Sequence, residues 1–151
     1  MVYKFVRDTV SIVDALRLQR YQKKQTYIID SLTFIKPLGS DELRNRGVLY
    51  SIQTVIEGVI DIVAMLVKDL GMMVEEDSKN IKKLLEFKNL NQKIGEDLVR
   101  ANGFRNLIVH RYNGISEDKV SEAIEEIQQL IPKWLNIVEE VLHEITHNQE
   151  P

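Results

Sequence analysis

Four side chains with chemistry to offer fall within eight residues: Arg105, Asn106, His110 and Tyr112, in the pattern R-N-x-x-x-H-x-Y. They are the kinds of group that RNA cleavage without a metal would use. That reaction needs a base to activate a 2′-hydroxyl, an acid for the leaving oxygen, and positive charge for the crowded phosphorane. An imidazole such as that of His110 serves as base or acid near neutral pH. Arg105 carries a charged fork matched to phosphate. Asn106 can orient the imidazole or the scissile phosphate, and Arg111 adds positive charge beside His110.

The geometry of a helix sets a condition on this chemistry. At about 100° per residue, Arg105 and Tyr112 share a face with Ile94, Leu98 and Ala101. Asn106 and His110 share another, with His110 about 140° round from Arg105. A straight helix does not bring those two side chains to one spot unaided. Either the arginine stem wraps toward the histidine, or a second chain supplies the missing group. One chain also offers one well-placed histidine for two proton transfers. Two copies about a two-fold axis would offer two, which favours a homodimer with a composite site.

The flanks carry a resemblance. Asn113-Gly114 breaks the chain after the tyrosine and a long amphipathic helix follows, while upstream stands Ile52-Gln53-x-x-Ile56-Glu57-x-x-Ile60-Asp61-Ile62. Together with R-N-x-x-x-H-x-Y this resembles the HEPN superfamily of all-helical nucleotide-binding and RNase domains. Within it the chain is similar to the HepT-like ribonuclease toxins, across residues 5–145. The resemblance implies a small helical RNase, active without cofactor or metal as a homodimer whose paired R-x4-H motifs face one cleft. It also implies a partner, a minimal nucleotidyltransferase antitoxin of the MntA type, able to adenylylate the motif tyrosine, here Tyr112. The alternative is a non-catalytic HEPN module that binds nucleotide or assembles with a nucleotidyltransferase. Many such relatives carry a proline and an aromatic in the loop before the active helix; Met72 to Lys79 has neither.

Other candidates have plainer readings. Glu57 and Asp61, four apart, can form a carboxylate site, but acids on a half-buried helix more often pair with an arginine. Arg105 is the candidate partner, which makes them supporting residues. His143 and His147 have a spacing that can bind metal, but lack an obvious third ligand and read as a solvated pair. Arg17 to Lys24 reads as a solvated helix face, with a smaller chance of touching RNA or an antitoxin. Trp134 and Met72-Met73 read as core and loop filling.

Composition bounds the rest. The 151 residues suit one domain, with 44% hydrophobic and 28% charged residues, ordinary values for a soluble globular chain. Without cysteine there is no disulfide or thiolate metal site. The start lacks the apolar core of a signal peptide. The apolar run Gly58 to Val67 carries Asp61 and is too short to span a bilayer. These features predict a cytoplasmic protein with no membrane contact. Its net charge of −3 allows RNA to be held only in a local basic cleft.

Few glycines and prolines and little β-branched alternation predict an all-α fold. The first helix is expected from Phe5 to Ile35, with Val6, Val10, Val13, Leu16, Tyr27, Ile28, Leu32 and Ile35 on its stripe and an exposed Gln19–Gln25 middle. Ser40 should cap a second helix ending at Gly71, about 45 Å long. Met72 to Lys79 should link it to a short helix, Asn80 to Phe87. Asn91 should cap a third main helix reaching Tyr112, and Ser116 a fourth reaching His147, kinked or divided at Pro132. The sum is an up-and-down four-helix bundle with one short extra helix.

Overall fold

The computed structural model describes residues 13–147, and five helices follow one another in that span. They are α1 (Ala15–Leu32), α2 (Glu42–Asp69), α3 (Asp77–Phe87), α4 (Gln92–His110) and α5 (Glu117–His147). No strand occurs among the described residues. The fold is the expected all-α bundle of four long helices and a short one. Helix α2 packs against α1, α3 and α4, and α5 closes the bundle against α4 and α1.

The central helix forms because its apolar residues recur at three- and four-residue steps. Val48, Ile52, Val55, Ile56, Val59, Ile62, Val63, Leu66 and Val67 are all buried. By length and composition α2 also resembles a membrane span. Its apolar side chains face the other helices, which is the arrangement of a core helix. Asp41, one residue later than expected, caps it: its carboxylate accepts from the Leu43 and Arg44 N–H groups at 3.0 and 3.3 Å. Gly71 stops it with φ 87°. The Met72 N–H donates to Val67 O and the Gly71 N–H to Lys68 O, each at 3.0 Å, the paired bonds of a Schellman ending.

Helix α1 departs from expectation. Its predicted stripe residues Val6 and Val10 lie outside the described residues. Within them the helix does not run through Val13; it starts at Ala15, because the Asp14 side chain accepts from the Arg17 N–H at 2.9 Å and caps it there. It ends at Leu32 rather than Ile35. The inward face is therefore Tyr21, Gln25, Ile28 and Ser31. Leu16, about 140° from Tyr21, is 72% exposed, and Tyr27 is 56% exposed. The polar middle, expected in solvent, holds a buried Tyr21 and Gln25.

Those two residues tie α1 to its neighbours. The Tyr21 hydroxyl donates to Asp69 Oδ2 at 2.5 Å, and Arg17 Nε donates to the same oxygen at 2.8 Å. The Arg17 guanidinium also lies 5.6 Å from the Tyr21 ring centre. Burial and the Asp69 carboxylate push the tyrosine pKa far above the ordinary phenol range. Gln25 Nε2 donates to Glu139 Oε1 at 3.0 Å on α5. Within Arg17 to Lys24, Gln19, Arg20, Gln22 and Lys23 are exposed as expected, while Tyr21 is buried and Arg17 and Lys24 are ion-paired. Gly58 lets α1 and α2 approach closely: a Cβ there would stand 2.7 Å from Ile28 Cγ1.

The short helix α3 starts at Asp77, three residues earlier than predicted. Asn80 is buried inside it and holds the incoming loop, accepting from the Glu75 N–H at 2.8 Å and donating to Glu75 O at 2.9 Å. Asn89, at φ 50°, ends it. Asn91 caps α4 as expected, accepting from the Lys93 N–H at 2.8 Å. Ser116 caps α5, its hydroxyl accepting from the Lys119 N–H at 3.3 Å. Pro132 does not divide α5, which continues to His147. Pro132 faces solvent, and the buried Ile131, Trp134 and Val138 carry the apolar stripe past it. Met72 packs against the core and Met73 is exposed.

Candidate active site at the end of helix α4

Helices α2 and α4 run antiparallel. The contact of Tyr112 with Arg46 lies near the start of α2 and that of Arg105 with Glu57 lies near its middle. Ile94, Leu98 and Ile108 anchor α4 in the core. Its polar face is thereby turned along α2.

Arg105 is the most constrained group of the motif. Its Nε donates to Glu57 Oε1 at 3.3 Å and its Nη1 to Asn106 Oδ1 at 2.8 Å. The same Glu57 oxygen accepts from Gln53 Nε2 at 3.0 Å. The guanidinium is therefore gripped on two sides. Both members of the ion pair are partly exposed, so the pair contributes about 0–1 kcal/mol to stability. Its larger effect is to fix where the charge stands. Asn106 spends its carbonyl oxygen on Arg105, so it steadies the guanidinium.

Asp61 does not share this role. Its carboxylate pairs with Lys24 at 3.1 Å, across from α1. A polar cavity of about 260 Å³ nevertheless opens beside Arg105, lined also by Glu57, Asp61, Asp77 and Asn102. Asn102 is buried and its side-chain oxygen has no hydrogen-bond partner among the described residues.

His110 is the last residue of α4 and is exposed. It stands five residues beyond Arg105, about 7.5 Å further along the helix axis. Arg111, also exposed, forms the C-cap, its N–H donating to Leu107 O at 2.8 Å. Tyr112 lies outside the helix, contrary to expectation, in the turn closed by the Gly114 N–H on Arg111 O. Its position follows from that turn rather than from a seven-residue helical spacing. The ring packs against the core, and the hydroxyl donates to Arg46 O at 2.9 Å. The Arg46 guanidinium lies 5.6 Å from the ring centre.

The fold thus joins Glu57, Arg105 and Asn106 into one cluster, holds Tyr112 in another, and leaves His110 and Arg111 open between them. Arg46 was not singled out from sequence, and Gln53 entered only as part of the upstream pattern, without a role. The signal lay in the register of α2: Arg46, Tyr50, Gln53, Glu57 and Asp61 recur at three- and four-residue steps and so form one polar stripe. Of the pair His143 and His147, the His147 side chain lies outside the described residues. Among the described residues no three His, Asp or Glu side chains cluster as a metal site would.

Comparison with known proteins identifies the family. The family description "Ribonuclease HepT-like" matches residues 17–141, spanning α1 to α5. Two proteins of Archaeoglobus fulgidus, each named "Putative RNase", are similar. One is 39% identical over 130 residues, covering 86% of this chain and 98% of the relative. The other is 44% identical over 124 residues, covering 82% and 94%. No solved structure is significantly similar to the chain. With its bundle, its Arg105–His110 helix and a family match across nearly all the described residues, this chain belongs to the HepT-like ribonuclease family.

Proposed function

We propose that the protein is an endoribonuclease that cuts RNA without a metal, at a site shared by two copies of the chain. The observation that carries this reading is the double grip of Glu57 and Asn106 on the Arg105 guanidinium, on the helix whose end exposes His110. Fixed charge aimed at a phosphorane costs no reorganisation as the reaction proceeds. In the proposed step the substrate 2′-oxygen attacks phosphorus after losing its proton to one imidazole. The 5′-oxygen leaves with a proton from a second, giving a 2′,3′-cyclic phosphate and a 5′-hydroxyl. The two imidazoles are the His110 of each protomer in a homodimer.

The protein would act as the toxin of a pair, silenced by a minimal nucleotidyltransferase. In that transfer the Tyr112 oxygen attacks the α-phosphorus of ATP, and pyrophosphate leaves. The hydroxyl must first release Arg46 O, so the turn after His110 has to loosen for modification. The added phosphate would then lie beside Arg46 and Arg111 and repel the RNA backbone.

Incubating RNA with the protein in EDTA tests the reading. Cleavage to cyclic-phosphate ends, lost in His110→Ala, is the expected outcome. Binding of RNA or nucleotide with no cleavage, in EDTA or magnesium, would instead make the chain a non-catalytic binding module.

A further inference from the structure

Three large aromatic side chains stand together, partly in water, on the α1–α2 side of the bundle. Tyr27 is 56% exposed, Phe34 66% and Tyr50 62%. All three line a groove of about 780 Å³ between the end of α1 and the start of α2. Its charged lining consists of Lys36 and Arg44, with no carboxylate. In a protein of net charge −3 this is a local reversal of sign.

The groove leads to the motif. A smaller cavity shares Tyr27, Tyr50 and Thr54 with it and adds Lys24, Glu57 and Asp61. Glu57 and Asp61 in turn line the cavity beside Arg105. The carboxylates along this path are thus confined to its Arg105 end. There Glu57 is paired with Arg105 and Asp61 with Lys24, while Asp77 is a third carboxylate lining the cavity. Arg44 and Arg105 mark its two ends.

Resting on the ribonuclease reading, we infer that this groove is the track along which single-stranded RNA enters the site. Tyr27, Phe34 and Tyr50 stack unpaired bases, and Lys36 and Arg44 hold the phosphates between them. Stacking suits this role because every base presents a π-face to an aromatic ring, so the grip tolerates any sequence. A duplex hides those faces within its own stack. The substrate is therefore single-stranded near the cut, and its order of bases along the track matters little.

The test uses the full chain carrying His110→Ala, so that bound RNA stays whole, and reads binding of a short fluorescein-labelled single strand by anisotropy. Adding Tyr27→Ala or Tyr50→Ala should weaken binding by about tenfold each, whereas Tyr50→Phe should bind as before. Lys36→Ala with Arg44→Ala should lower the slope of log affinity against log salt by about 1.4, a readout independent of the aromatics. All five positions are exposed, and thermal melts check that the fold is kept. Single-strand binding by the parent with no loss in either tyrosine variant would overturn the track and leave the ribonuclease reading standing. Equal affinity for a duplex would do the same. A tyrosine variant that loses the homodimer by light scattering, with unchanged RNA affinity per folded chain, would assign the face to a protein partner. No RNA binding by the parent, and no cleavage by the unsubstituted protein, would overturn both.

Discussion

Glu57 on α2 reaches across to α4 and meets Arg105 at 3.3 Å, Oε1 to Nε, with Gln53 donating to the same carboxylate oxygen from one turn away. The carboxylate sets the direction of the guanidinium without adding much to stability, because both groups are partly in water. Glu57 is in this sense a positioning residue. Glu57→Ala should lower cleavage by about tenfold through kcat rather than KM, an effect of about 1.4 kcal/mol on the barrier. The unfolding free energy should change by less than about 1 kcal/mol. A fall in thermal stability that accounts for the lost activity would contradict this.

His110 is exposed at the helix end and fills no core space. His110→Ala should therefore keep its helicity and melting temperature while losing about 10²- to 10⁴-fold in cleavage rate. Cleavage within a few-fold of the unsubstituted protein would remove His110 from the mechanism.

A site built from two chains predicts that one defective copy silences its partner. Arg105→Ala and His110→Ala proteins should each be inactive as homodimers. Mixed under exchanging conditions with an excess of His110→Ala, the unsubstituted protein should also lose most of its cleavage, since a mixed dimer holds one of the two imidazoles that the reaction uses. Light scattering at micromolar concentration should report a dimer, and a fully active monomer would end the composite-site proposal.

Tyr112 donates to Arg46 O and packs its ring on the core, so its two roles can be separated. Tyr112→Phe keeps the ring and loses one hydrogen bond, which should cost about 0.5–1.5 kcal/mol. It should cut RNA normally and resist silencing by a nucleotidyltransferase with ATP. Intact mass before and after incubation checks this; added nucleotide on the Phe variant would point to another acceptor.

Tyr21 should make the stability of the fold fall in alkali. Its folded pKa is raised by burial and by Asp69, so the folded state keeps a proton that the unfolded state gives up near pH 10. The stabilisation is complete below pH 10. Above it, stability should fall by about 1.4 kcal/mol per pH unit from this group. Denaturant unfolding of Tyr21→Phe between pH 8 and pH 11 should show a shallower decline than the parent; parallel declines would mean that Tyr21 is not the titrating group.

The sequence by itself determined the helices whose signals are local. The three- and four-residue recurrence from Val48 to Val67 specifies α2, Gly71 its stop, and Asn91 and Ser116 the starts of α4 and α5. It also specified the motif, because residue types and spacing are read along the chain. Where a cap competes with a pattern, the reading slipped. Asp14 starts α1 late, and of the expected stripe Val13, Ile28 and Ile35 are buried while Leu16 and Tyr27 stay out and Tyr21 and Gln25 go in. Only the tertiary structure decided the partners. Glu57 and Arg105 lie 48 residues apart, Tyr21 and Asp69 also 48, and Tyr112 and Arg46 66. Polar side chains choose among neighbours by distance and direction across packed helices, and helical periodicity carries neither. For that reason Asp61 went to Lys24, Glu57 rather than Asp61 reached Arg105, and Tyr27, Phe34 and Tyr50 came to line one groove.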